Sequence, residues 1–158
     1  MTPRKACCFT GHRELPKEGT PAYFQLRLAL LHAVRDAIAE GFTVFLNGGA
    51  SGFDLLAAET VLECRALDPL VELRVIVPYA GQADRYAFAD KKRYRRILDE
   101  AAQVHVLSEK YFSGCMRARN ERLVCHADRC IAYLRKPSGG TLMTVNMAVK
   151  KGIEVIYL

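Results

Sequence analysis

The sequence predicts an α/β fold of Rossmann-like, doubly wound build, with a mostly parallel sheet of about six strands and helices on both faces. Three observations predict it. Short apolar runs alternate strictly with helical patterns along the 158 residues. The runs are apolar on both faces, as strands sandwiched between helix layers are. The connections are short, and no linker, repeat or low-complexity tract interrupts them. Residues 1–158 therefore read as a single domain, long enough to bury a core.

Lys5 to Thr10 reads as a buried strand ended by Gly11. From Pro21, Phe24, Leu28, Leu31, Val34 and Ile38 recur at three- and four-residue steps and predict a helix, closed by Gly41 in the C-cap position. Thr43 to Leu46 is a second strand, Asn47 to Gly52 a loop, and Phe53 to Leu67 a helix stopped before Asp68-Pro69. Val71 to Val77 is the third strand, ended by Pro78, and Tyr86 to Ala102 a basic amphipathic helix. Val104 to Leu107 is the fourth strand, followed by a helix over Met116–Cys125 and a fifth strand over Arg129–Leu134. A last helix over Thr141–Lys151, capped by Gly152, leads into a sixth strand over Ile153–Tyr157.

Composition narrows the function classes. Hydrophobic residues at 51% and charged residues at 25% exclude a disordered chain or a coiled coil. No apolar run approaches the roughly 18 residues of a membrane span, and the first residues lack the apolar stretch of a secretory signal, so a cytoplasmic location is expected. Six cysteines without such a signal are expected to be reduced and partly buried, in core-patterned segments. A zinc site on Cys125, His126 and Cys130 is the sharper alternative. With no CxxC pair and no finger-like spacing, however, no metal is expected. The net charge of +6 favours an anionic partner, either a free nucleotide or a nucleic acid. Much of the excess sits in Lys91–Arg96 and in Arg117, Arg119 and Arg122.

In open parallel sheets ligands sit beyond the carboxyl ends of the strands, where strand order reverses. That rule nominates four loops. The first carries Gly11, His12 and Arg13, with Arg13 able to grip a phosphate bidentately and His12 either donating to one or making a local bond. The second holds Gly48, Gly49 and Gly52 just before Asp54, so that glycine permits close backbone approach and the helix start supplies free N–H donors. The third runs from Ser108 to Arg119. The fourth is Ser138, Gly139, Gly140 and Thr141, which repeats the second design. Tight turns needing positive φ are the plainer reading of both glycine loops. Neither is a Walker A or a GxGxxG dinucleotide fingerprint. Asp54, in the first turn of its helix, either stabilises the helix dipole or binds a ribose hydroxyl or a metal-bound water. Glu59, five residues on, lies roughly 140° around the helix from Asp54, so the two are not an obvious acid–base pair.

Phe9-Thr10-Gly11-His12-Arg13, Gly48-Gly49-Ala50-Ser51-Gly52-Phe53-Asp54 with Ala57-Ala58-Glu59, and Ser138-Gly139-Gly140-Thr141 together resemble the SLOG superfamily. Pro78-Tyr79 with Gln82, then Tyr94, Ile97 and Leu98, resemble its YpsA-like branch, and the resemblance spans the chain. It implies a Rossmann-like fold and a nucleotide or nucleotide-derived ligand such as ADP-ribose. Arg13, Asp54, Gln82 and Arg119 would join the glycine loops in the lining, and Tyr86 and Tyr94 would either form a lid or pack in the core.

Two relatives offer alternatives. LOG proteins cleave the N-glycosidic bond of nucleoside monophosphates with a glutamate in PGGxGTxxE. Here that position falls on Thr144, so such hydrolysis would need another carboxylate, with Asp54, Glu59 and Glu121 the candidates. DprA-type proteins bind single-stranded DNA, a reading that rests here on charge alone. A homodimer is what the resemblance implies for assembly.

Overall fold

A computed structural model describes residues 3–158. The chain runs β1 (Lys5–Gly11), α1 (Pro21–Ala39), β2 (Phe42–Asn47), α2 (Phe53–Arg65), β3 (Glu72–Val77), α3 (Phe88–Glu100), β4 (Gln103–Val106), α4 (Cys115–Cys125), β5 (Arg129–Tyr133), α5 (Gly139–Lys151) and β6 (Glu154–Tyr157). All paired strands are parallel, in the order β4-β3-β2-β1-β5-β6. The chain lays down β1 to β4 toward one edge. It then returns through α4 and places β5 against the free side of β1. The reversal, and with it the expected ligand crevice, lies at the carboxyl ends of β1 and β5.

Alternation within each strand divides the core in two. From β1, Cys7 and Phe9 pack with α1, α2 and α3, together with Phe45, Leu73, Val75 and Ile131. Ala6 and Cys8 face the other way, toward Leu123, Val124, Val145 and Ala148 of α4 and α5. Three helices thus cover one face and two the other, and the β4 edge is left bare on both. All four residues of β4 are exposed, so Val104 and Val106 do not form the buried strand their apolarity predicts.

Cap chemistry explains most boundaries. Thr20 accepts the Tyr23 N–H at the head of α1 and Pro21 fills its first position, while Gly41 follows the last turn at φ 94°. α3 begins two residues later than its periodicity implies. Residues 79–86 close in successive turns, with Gln82, Asp84 and Tyr86 each donating back three residues, and the α-helical ladder starts only after Ala87. α5 begins two residues earlier than expected, so Gly139 and Gly140 form its first turn instead of a loop ahead of it. Gly11 is the last residue of β1, paired with Tyr133.

Among the described residues the six cysteines are free. Five are buried and Cys125 is exposed at the end of α4, outside the core its pattern implies. Cys130 sits in β5 opposite Cys8, and no cluster of metal-ligating side chains forms among the described residues. No described helix is long and apolar enough to cross a membrane.

Candidate functional site

A cleft of about 300 Å³ opens at the switch point. Of the residues nominated from sequence it gathers Gly11, His12, Arg13, Asp54, Arg119, Gly140 and Thr141, from four separate loops and helices. A wider cavity of about 720 Å³ adjoins it, sharing Arg13 and Met116 and taking in Gln82 and Tyr86. Ser138 and Gly139 stand just outside the cleft as the N-cap and first residue of α5.

The loop after β2 is built from the inside. Asn47 is fully buried; its Oδ1 accepts the Gly49 N–H at 2.7 Å and its Nδ2 donates to the Asp54 carbonyl at 2.8 Å. The side chain therefore pins both ends of the glycine turn, in the manner of an Asx turn. Asp54 completes it by accepting the Ala50 N–H through Oδ2 at 3.2 Å. The glycines here make room for neighbouring protein. A Cβ on Gly48 would lie 2.7 Å from Nη1 of Arg119, and one on Gly52, at φ 81°, would lie 2.1 Å from the Arg13 carbonyl oxygen. Gly48, Gly49 and Gly52 all lie outside the cleft lining, and Ala50 and Asp54 represent their loop there.

Arg119 is the centre of the site. It is buried, projects from α4, and donates through Nη1 to the Gly48 carbonyl at 2.5 Å and to Gln82 Oε1 at 3.1 Å. Nε holds Asn120 Oδ1 at 2.7 Å, while Nη2 meets only the Met116 sulfur at 3.9 Å. Neither Arg119 nor Arg13 forms an ion pair among the described residues. A buried guanidinium without a carboxylate partner is costly, and here burial lowers its pKa. Asp54, a few side chains away, is buried too. Desolvation lifts its carboxyl from 3.8 to about 6, against the opposing pull of Arg119, the Ala50 N–H and Arg13.

His12 serves the frame. Its Nε2 accepts the N–H groups of Arg135 at 2.8 Å and Lys136 at 3.2 Å, fixing the loop before α5 onto the end of β1. Burial, then the Lys136 and Arg135 charges, hold the ring below the ordinary histidine range, partly opposed by Glu14. Gln82 bridges the Gly48 carbonyl, Tyr94 and Arg119, and Tyr86 donates to the Gly49 carbonyl at 2.9 Å. Tyr94 is buried in the core, edge-on to Tyr86. These three brace the glycine loop from behind.

The remaining carboxylate candidates lie elsewhere. Glu59 pairs with Arg93 at 2.5 Å in a separate cleft between α2 and α3, and Glu121 pairs with Arg117 on the exposed face of α4. Thr144 is buried, and its hydroxyl bonds back to the Gly140 carbonyl at 2.9 Å, so no acid stands at that position. The basic run of α3 is partly neutralised: Arg93 also holds Asp90, Arg96 holds Glu100, and Lys92 lies over the Phe88 ring. Sequence reasoning left Asn47 out. An asparagine between a strand and Gly-Gly is the signal that marks it.

An all-parallel sheet with its crevice at the β1/β5 reversal defines a Rossmann-like α/β protein. Residues 7–154 match the model of the YspA SLOG family, and the chain belongs to that family. A UPF0398 protein of Halalkalibacterium halodurans is 33% identical over 106 residues, 66% of this chain and 56% of the relative. One from Staphylococcus epidermidis is 23% identical over 133 residues, 80% of this chain and 71% of the relative. The chain thus matches little more than half the length of the first of these.

Among solved structures, DNA processing protein A of Streptococcus pneumoniae superposes with a TM-score of 0.70 at 20% identity, covering 98% of this chain and 50% of that one. Its Helicobacter pylori counterpart, which binds single-stranded DNA, gives 0.65 at 21% identity, covering 97% and 64%. At that identity the likeness is one of fold.

Proposed function

We propose that the protein binds a nucleotide or nucleotide derivative, ADP-ribose-like in class, with a phosphate group at the switch-point cleft. One observation carries the reading: Arg119, a buried cation without a carboxylate partner among the described residues, faces a cleft that also holds Arg13 and the first turn of α5. The Nη2 edge of Arg119 and the free N–H groups of Gly140 and Thr141 are suited to an anion, and a phosphate there would neutralise the buried charge. Asp54, which lines the same cleft, would accept a ribose hydroxyl. The reading is one of binding without LOG-type turnover, because Thr144 supplies no carboxylate.

The test is a thermal-shift panel of AMP, ADP-ribose, NAD and a cyclic nucleotide on the wild type, Arg119→Met and Arg13→Ala. A ligand that binds the folded state raises its Tm. The expected result is a rise with at least one of these nucleotides, lost in Arg119→Met and reduced in Arg13→Ala. Arg13 is exposed, so that variant keeps the core intact. No rise with any nucleotide would sink the reading.

A further inference from the structure

The larger cavity has a composition of its own. Tyr79, from the turn after β3, and Tyr111, from the loop after β4, meet edge to face with ring centroids 5.4 Å apart and planes at 89°. The two loops are tied by the Ala80 N–H, which donates to the Ser108 carbonyl at 3.0 Å. An edge-to-face pair leaves ring faces open for a further aromatic group, and Tyr111 is 64% exposed. At Gly81 the missing side chain leaves space beside both the Tyr79 ring and the Asp84 carboxylate, which a Cβ there would approach to 3.4 and 2.7 Å. Asp84 forms no ion pair among the described residues, and a carboxylate offers acceptors only.

The charges differ between the two ends of the trough. The inner cleft sets Arg13 and Arg119 against a single carboxylate, Asp54, whereas in the outer cavity Asp84 and Asp90 offset Arg13 and Arg85. A phosphate is drawn inward. A flat, donor-bearing ring is suited to the outer end, where stacking surface and an unpaired acceptor lie together. Met116 and Arg13 line both spaces, so the two adjoin.

We infer that the trough is a two-part nucleotide site, in which the Arg119 cleft holds the phosphate and Tyr79, Tyr111 and Asp84 form a subsite that recognises the nucleobase. This rests on the nucleotide reading above and sharpens it: the ligand class is nucleotides in preference to plain sugar phosphates.

The experiment is calorimetric titration of GMP, AMP and ribose 5-phosphate into the wild type, Tyr111→Ala and Tyr111→Phe. The wild type is expected to bind at least one of the two nucleotides more than tenfold tighter than ribose 5-phosphate. In Tyr111→Ala that nucleotide's affinity should fall about fivefold to about a hundredfold, the range typical of losing one base–aromatic stack. Ribose 5-phosphate should be unaffected, and Tyr111→Phe should restore the preference. Nucleotides and ribose 5-phosphate binding alike, or a nucleotide affinity indifferent to Tyr111→Ala, would overturn the base subsite and leave the phosphate site standing. Binding of none of the three would overturn both.

Discussion

Nη1 of Arg119 donates to the carbonyl of Gly48 at 2.5 Å across 71 residues of sequence, and it also occupies the space a side chain at position 48 would need. The glycine is thus selected by the arginine. Gly48→Ala would drive a methyl to within 2.7–2.9 Å of three guanidinium-end atoms in a buried setting. Overpacking of this kind costs about 1–3 kcal/mol. The expected outcome is a lower urea midpoint with unchanged slope, together with weaker nucleotide binding as Arg119 is displaced. An unchanged midpoint would mean that the guanidinium moves aside freely.

Gly52 and Gly139 have nearly the same backbone, at φ 81° and 87°, but different surroundings. An alanine at either position suffers the left-handed penalty, roughly 1–2 kcal/mol. At Gly52 it also collides with the Arg13 carbonyl, which is backbone and cannot turn away, whereas at Gly139 nothing lies within 4 Å. Gly52→Ala should therefore destabilise clearly more than Gly139→Ala in parallel denaturation curves. Equal losses would show that strain at φ alone governs both.

The sequence made the fold legible because each strand and helix carries its own periodicity, and parallel order follows from strict alternation. The site was legible only as loops. Its cleft-lining half was visible in Arg13, Asp54, Gly140 and Thr141, residues the switch-point rule points to directly. Roles were harder to read. The second glycine loop looks like a cradle, but its glycines accommodate Arg119 and the Arg13 carbonyl, a fact that depends on contacts tens of residues apart. The Tyr79–Tyr111 pair spans two loops brought together by the β3–β4 pairing and the Ala80–Ser108 hydrogen bond, so no local pattern announces it. The bareness of β4, exposed on both faces, is invisible in its apolar residues.

His12 gives the loop before α5 a pH-dependent latch. Its Nε2 must be unprotonated to accept from Arg135 and Lys136, and the folded state holds the ring below its ordinary 6.5. A lowered folded pKa means the contribution is complete above the unfolded value and is lost as pH falls through the folded one. Amide exchange at Arg135 and Lys136 should accelerate as pH falls well below the ordinary histidine range, beyond the intrinsic chemistry of exchange. In His12→Gln, whose side-chain oxygen accepts at every pH, that dependence should vanish. The same acceleration in the glutamine variant would exclude the histidine as its cause.

Asp54 runs the opposite way. Its folded pKa is raised from 3.8 to about 6, chiefly because the carboxyl is buried, so folding favours the protonated acid. The stability it contributes is complete below the unfolded value and declines as pH rises through the folded one. A shift of that size corresponds to on the order of 3 kcal/mol. The wild type should therefore lose stability between about pH 4 and pH 7 relative to Asp54→Asn, whose amide oxygen can still accept the Ala50 N–H but carries no charge to bury. Urea midpoints of the two proteins across that range give the comparison. The gap should widen upward in pH in favour of the asparagine variant, and parallel curves would show that the Arg119 charge already compensates the buried carboxylate. A ligand phosphate would withdraw that compensation by engaging Arg119, so bound AMP or ADP-ribose should shift the Asp54 titration further upward. Carboxyl chemical shifts followed with and without nucleotide would register the coupling between the two residues.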